Sequence, residues 1–565
     1  MGEGDAVVAN RDPRRPTEPP TPSSPAPHPS SSHTADSPRR ASPASHRSSH
    51  HLSALSALLL LLSASLLDSA AGGKPQLLIA RRPKEIAQLQ LKELDKQRSQ
   101  RMLSQLSKFI DSGAAPAYIA KVSAPTAGGK YERPGSPEEL LQCLNDHQPQ
   151  QTSTSWEQVI QDQHPYLKAV AAYWSRKTAD VPLTLATQLS WNRKWQLKAM
   201  CRTWGGPIAA VLHMPVLIPR VTGRPNGTLD DIPPDTMKRA LEKVAAFHAR
   251  VEASQPCKMD LILLAEPYRD AKSLVLYPVN LLRNYARLMA RTPLIGVIDV
   301  DLLVSASLHA AMVEPAAGER YVAEAEAAVA AAAAGRTGPA YSTGFARVEG
   351  MKERARALNI SFPADGAEAQ PGPAGRVAYV LPAFITKWGP VKFQVSLADT
   401  LVSQPKIVVQ EEFTREHITR FDPESTGHRA TNYSRWFGAS QPYTVHWEDR
   451  YEPWVLVDRL GSTWADTRFR GYGKNKIVQV RALAYDGYDF KVHPSAFLVH
   501  RPHVASSSQT AHTRSASLGA HRKTTMYGKN LHLYNQINHE MLYGNYTVFV
   551  DPATAACRSK LSWWK

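Results

Sequence analysis

The stretch Leu294-Ile295-Gly296-Val297-Ile298-Asp299-Val300-Asp301 is a short apolar run that ends in two carboxylates one residue apart. With Arg291-Thr292-Pro293 ahead of it, a run of this length reads as a buried strand over 294–300. Alternate residues of a strand share a face, so Asp299 and Asp301 are expected to leave its carboxyl end pointing the same way. Two hard oxygen donors at a sheet edge suit a divalent cation that also grips a diphosphate.

Working outward, the neighbouring sequence alternates in the same manner. Strands are expected at 181–189, 208–214 and 259–264, and helices at 191–204, 234–251 and 279–289. Such alternation predicts an α/β domain with a parallel, Rossmann-like sheet, which binds ligands at the carboxyl ends of its strands. After Asp301 the pattern blurs. Residues 309–376 form an Ala/Gly/Pro-rich insertion, with a local helix expected over 321–334. Strand-like sequence resumes at 377–384, 455–457 and 477–480, and 490–501 alternates strand and turn.

The N-terminal 51 residues are dominated by Pro, Ser, His and Arg, a composition that buries no core and predicts disorder. Residues 52–71 are a Leu/Ala/Ser run, short for a bilayer span of roughly 20 residues. A signal anchor, a cleaved signal and a buried helix are the readings in play. Arg39, Arg40 and Arg47 ahead of the run favour a type II anchor with the rest of the chain in the Golgi lumen. The segment 72–150 then reads as a stem with a helix over 83–112, through which a homodimer could form. A catalytic domain is placed at 151–550 and a C-terminal tail at 551–565. Sequons at Asn226, Asn359, Asn432 and Asn545 agree with a lumenal address. The four cysteines are too widely spaced for a zinc knuckle, and Cys201 with Cys257 is the first pairing expected. A net charge of +17 favours anionic small molecules, uronic-acid glycans or a membrane surface. Arg-rich alternating tracts are absent, so nucleic acid is not an expected partner.

A transferase using a sugar nucleotide must neutralise the departing diphosphate and, if it inverts, deprotonate the acceptor hydroxyl. Asp299 and Asp301 suit the first task through Mn²⁺ or Mg²⁺. Further along, Asp466 precedes the Gly-punctuated turn Arg470-Gly471-Tyr472-Gly473. His500 closes another short apolar run, with His503 three residues on. Histidine is a competent third ligand for such a metal, although a histidine in such a place is more often a hydrogen-bonded structural residue. Trp436 suits either stacking on a sugar ring or a place in the core.

Several ordered motifs make the pattern more specific. They are TLATQLS (184–190), CRTWGGP (201–207), YPVNLLRN (277–284), residues 292–301 and VLPAF (380–384). After these come GHRATNYSRWF (427–437), YEPWVLV (451–457), DTRFRGYGKNK (466–476), and the stretches 488–503 and 527–544. Together they resemble the family-49 glycosyltransferases over roughly residues 180–545. The resemblance implies a GT-A fold, a Rossmann-like mixed sheet flanked by helices. It also implies an inverting, metal-dependent transfer from a UDP-sugar, typically UDP-glucuronic acid, to a glycan acceptor. By position, Asp299 and Asp301 match the metal-binding pair and His500 the C-terminal metal ligand. Asp466 is the expected general base, with Glu452 in reserve, and Arg283 a nucleotide or diphosphate contact. Lys474 departs from the family, which usually carries an aromatic there, and so does Ile385-Thr386 after the PAF triplet. Xylosyl, galactosyl or N-acetylglucosaminyl transfer on the same fold, or glycan binding without turnover, therefore stay open.

Overall fold

The structure is a computed structural model. It describes residues 129–148, 167–218, 232, 234–268, 270–333, 376–387, 389–517 and 525–565. The expected tail, anchor and stem helix within 1–128 lie outside the described residues, as does 334–375 of the insertion. Among the described residues no helix is long and apolar enough to cross a membrane.

The strands, in chain order, begin with β1 (Lys168–Tyr173), β2 (Leu183–Ser190), β3 (Pro207–Leu217), β4 (Lys258–Tyr268), β5 (Leu294–Val297) and β6 (Leu302–Val304). They continue with β7 (Val377–Leu381), β8 (Ala383–Thr386), β9 (Ile418–Arg420), β10 (Tyr443–Val445), β11 (Trp454–Asp458), β12 (Asp489–Val492) and β13 (Leu498–His500). Nine of them form one sheet in the order β1-β4-β3-β2-β5-β11-β7-β12-β10, and a smaller sheet runs β6-β13-β8-β9. The expected parallel unit is present, with β2 parallel to β3 and β5, and β3 parallel to β4. The complete sheet is mixed, because β11 runs antiparallel to β5 and to β7.

Strands β3 and β4 read as near-continuous apolar runs because helices cover both faces of the sheet, and every residue of β4 is buried. Its charged members are paired inside: Lys258 with Glu132, Asp260 with Arg291, and Glu266 with Arg470 and His213. The expected helices appear at Lys194–Thr203, Pro234–Ser254 and Val279–Met289, and the Ala-rich stretch is helical over Pro315–Ala333.

Three expectations are corrected. Residues 477–480 are not a strand but lie in the helix Asn475–Tyr485. Their β-branched side chains are overruled by packing against Phe469, Leu533 and Ile537. Residues 551–565 are not a tail. Asp551 caps the helix Pro552–Lys560, and the indoles of Trp563 and Trp564 both donate to the Leu288 carbonyl, at 2.7 and 2.9 Å. Finally, 137–146 of the supposed stem is a helix joined to that C-terminal helix by a Cys143–Cys557 disulfide. Cys201 and Cys257 form the expected second bridge.

Candidate functional site

The carboxyl end of β5 is where the parallel and antiparallel halves of the large sheet meet. Strand β5 stops at Val297, so Asp299 and Asp301 stand in the turn that follows, closed by a 3.0 Å bond from the Leu302 N–H to the Asp299 carbonyl. The turn breaks the alternation expected of a strand, and the two carboxylates take different partners.

Asp299 is held on both oxygens. Oδ1 accepts from the Arg283 guanidinium at 2.8 Å and Oδ2 from the Trp454 indole at 3.1 Å. The register explains the second contact: Leu456 of β11 faces Gly296 of β5, which brings Trp454 alongside the residues just past the strand end. Arg283, expected as a diphosphate contact, is buried, and its NH1 is taken by Asn280 and Asn475 at 3.1 and 2.8 Å. It acts here as the residue that fixes Asp299.

Asp301 meets the histidines. Strand β13 pairs antiparallel with β6, setting His500 opposite Leu302 and therefore beside Asp301. His500 Nε2 lies 3.8 Å from Asp301 Oδ2, and His503 Nε2 lies 2.5 Å from the same oxygen. The imidazole centroids are 5.0 Å apart. Ligand atoms of Asp301, His500 and His503 all fall within 4.8 Å of one another, while Asp299 is not part of that cluster. One carboxylate and two imidazoles converging in this way fit a divalent transition ion. Burial pushes the Asp301 carboxyl up, but the two imidazoles outweigh it and hold it well below the usual carboxylate range. The loop carrying the histidines is anchored outside the cluster: Arg193 donates to the Val504 carbonyl at 2.6 Å, and Arg501 pairs with Asp399 at 2.7 Å. Arg193 also adds positive charge near Asp301.

The two expected bases fare differently. The Asp466 side chain has no exposure, and both of its oxygens are engaged by Arg468, the shortest contact being 2.6 Å, with Tyr546 also donating. A carboxylate so enclosed and satisfied is an internal clamp, and the assignment of Asp466 as the base is corrected. Glu452 is partly exposed, one residue before the Pro453-Trp454 entry to β11. Burial raises its pKa above the ordinary carboxylate value, and Asp422 and Asp299 add to that while Lys476 opposes it. Nothing among the described residues forms a hydrogen bond or ion pair with its carboxylate. Glu452 therefore has the environment of a poised base.

Around these groups lies an aromatic wall that the sequence did not disclose. His428 stacks on Trp454 with centroids 5.3 Å apart, Phe421 meets it edge-on at 4.9 Å, and the Lys476 ammonium sits 3.2 Å from its ring centroid. Tyr472, on the glycine-flanked turn, is exposed; burial of its hydroxyl and the nearby carboxylates raise its pKa to about 12. Gly471 and Gly473 at φ of 70° and 100° permit that turn, where a Cβ would meet Met526 and His512 respectively. Trp436, by contrast, is fully buried against Phe384 and Phe497 with its indole bonded to the His493 carbonyl at 2.9 Å, so it is core. Of the residues sequence reading missed as ligands, His503 carried a signal in its spacing from His500. Trp454 and Lys476 carried none, since only register and helix packing bring them to Asp299. A cavity of about 30 Å³ lined in part by Lys476 and Arg283 is far too small for a sugar nucleotide.

Comparison with known proteins identifies the family. The profile of the family described as "Glycosyl-transferase for dystroglycan" matches residues 182–332 and 370–534, more than half of the chain. The xylosyl- and glucuronyltransferase LARGE2 of Rattus norvegicus is 29% identical over 326 residues, covering 57% of this chain and 35% of that protein. The LARGE1 proteins of Homo sapiens and Danio rerio are 26% and 25% identical over 324 residues, with 32% and 31% of their lengths covered. The chain thus spans about a third of the length of the curated relatives it matches. The matched segments contain the Asp299–Asp301 turn, Glu452, Lys476 and both histidines, and on this evidence the chain belongs to the family-49 glycosyltransferases.

Proposed function

We propose that this protein is an inverting, metal-dependent glycosyltransferase of the GT-A type that moves a sugar from a UDP-sugar to a glycan acceptor. Glucuronic acid is the donor sugar we favour, since the relatives are named xylosyl- and glucuronyltransferases. The observation that carries the reading is the convergence of Asp301, His500 and His503 at the end of β5, beside the fixed Asp299 and the uncommitted Glu452. Asp301, His500 and His503 would hold Mn²⁺ or Mg²⁺, whose charge offsets that of the departing diphosphate.

The rest of the chemistry falls to the chain. The acceptor hydroxyl oxygen attacks the anomeric carbon, the bond from that carbon to the UDP oxygen breaks, and UDP leaves with the electron pair. Glu452 receives the hydroxyl proton, and its raised pKa suits a group that must take one. Arg283 and Trp454 keep Asp299 in a single orientation. We place this reaction in the Golgi lumen, with residues 52–71 as a type II anchor. Two disulfides involving all four cysteines favour an oxidising compartment.

A panel of UDP-sugars incubated with the purified chain and Mn²⁺, read as released UDP, tests the reading. Release should require the metal and collapse in an Asp299→Asn/Asp301→Asn double variant. Absence of release from every donor, or full activity with excess chelator, would overturn it.

A further inference from the structure

Lys476 stands in the first turn of the helix Asn475–Tyr485, delivered there by the left-handed residues Gly471, Gly473 and Lys474. Its ammonium rests over the Trp454 ring, and the residue is partly buried. Among the described residues no carboxylate or carbonyl accepts a hydrogen bond from it. An ammonium has three N–H donors, and one left unengaged in a partly buried site calls for an anion. The carboxylates that act on it most strongly are Glu452 and then Asp299, with Asp301 the weakest of the three. The ammonium lies 3.2 Å from the centroid of the Trp454 ring, whose indole bonds Asp299 and which stands two residues after Glu452, so Lys476 belongs with Asp299 and Glu452, whereas the metal cluster is built from Asp301, His500 and His503.

The geometry points to Lys476 as the residue that selects a uronic-acid donor, its ammonium pairing with the carboxylate that replaces the primary hydroxyl of a neutral hexose. This inference rests on the transferase reading above for the position of the donor. It names a determinant of donor choice and leaves the chemical step to Glu452. The Trp454 face orients the ammonium through the ring quadrupole, and the same indole fixes Asp299, so sugar recognition and the reaction centre share one wall.

UDP-glucuronate and UDP-glucose differ only in that carboxylate, so their affinities isolate the contact. Calorimetric titration of the purified full chain with each, at fixed Mn²⁺ and without acceptor, should show tighter binding of UDP-glucuronate. In Lys476→Met, which keeps the stem over Trp454, that preference should shrink by about 10- to 100-fold, the worth of a charge-assisted hydrogen bond. Lys476→Arg should retain most of it. A partly unfolded sample lowers the binding-competent fraction equally for both ligands and leaves the ratio intact. Equal affinity of the unaltered protein for the two ligands overturns the inference. So does an equal loss for both in Lys476→Met, which assigns the ammonium to the diphosphate. UDP release is read in parallel: selective binding without release overturns the activity and leaves the inference standing. Release from neutral donors with no preference for UDP-glucuronate does the reverse, and binding of neither ligand overturns both.

Discussion

Replacing Glu452 by Gln separates the two carboxylates that sequence reading left as rivals. The substitution keeps the size and the partial burial of the side chain and removes its ability to accept a proton. Loss of a general base typically lowers turnover by about 10²–10⁴-fold, or roughly 3–5 kcal/mol of barrier. The change should appear in kcat with little effect on donor KM, since the carboxylate acts on the acceptor. Asp466→Asn should behave in the opposite way. Its side chain is wholly inside and hydrogen-bonded on both oxygens to Arg468, so removing the charge leaves a guanidinium that is itself only 13% exposed with Glu540, 4.0 Å away, as its remaining carboxylate. Breaking a buried pair costs about 3–5 kcal/mol, which in a domain of roughly 400 residues lowers the melting temperature by about 4–6 °C. Activity per folded molecule should survive. The assay is UDP release at saturating donor and acceptor, normalised to the folded fraction from thermal unfolding, with pH profiles for both variants. In the unaltered enzyme activity should fall as pH drops through the raised pKa of Glu452, above the ordinary carboxylate value of 4.5. That acid limb should vanish in the Gln variant. Full kcat in Glu452→Gln, together with a folded but inactive Asp466→Asn, would refute the reasoning.

Other outcomes follow from the same coordinates. His503→Ala should weaken Mn²⁺ activation at least tenfold in a metal titration of UDP release, because His503 makes the closest contact with Asp301. Trp454→Phe keeps the ring under Lys476 but removes the 3.1 Å indole bond to Asp299, and kcat/KM should fall about tenfold or more. The double variant Cys143→Ser/Cys557→Ser opens a link between residues 414 positions apart and should lose about 2–5 kcal/mol in chemical unfolding at fixed temperature. His309 and His493 are buried in the folded state, which lowers their pKa values from 6.5 to about 4 and about 3. The unfolded chain then binds more protons below pH 6.5, so the stability these residues contribute is complete above that pH and is lost as pH falls toward 4. The slope should approach 1.4 kcal/mol per pH unit for each histidine, and it should be shallower in His309→Asn.

Much of this protein could be read along the chain. The periodicity from Val181 to Val297 fixes alternating strands and helices, because a strand buried on both faces must be apolar throughout and its connecting helices must be amphipathic. The position of the Asp299–Asp301 pair after such a strand was equally legible, as was the Cys201–Cys257 bridge. The orientation of the pair was not: β5 ends two residues before Asp299, and a turn sends the two carboxylates to different partners. Nor was the choice of base, since Asp466 and Glu452 look alike as letters and differ only in what encloses them. Arg468 and Tyr546 enclose the first, whereas the second is partly exposed and makes no side-chain hydrogen bond or ion pair among the described residues. The metal cluster depends on β13 pairing with β6 across nearly two hundred residues, a contact with no local sequence signal beyond the spacing of two histidines. Local pattern determines elements because backbone hydrogen bonding and burial act over a few residues. The candidate site is made by register between strands distant in sequence, and only the folded sheet sets that register.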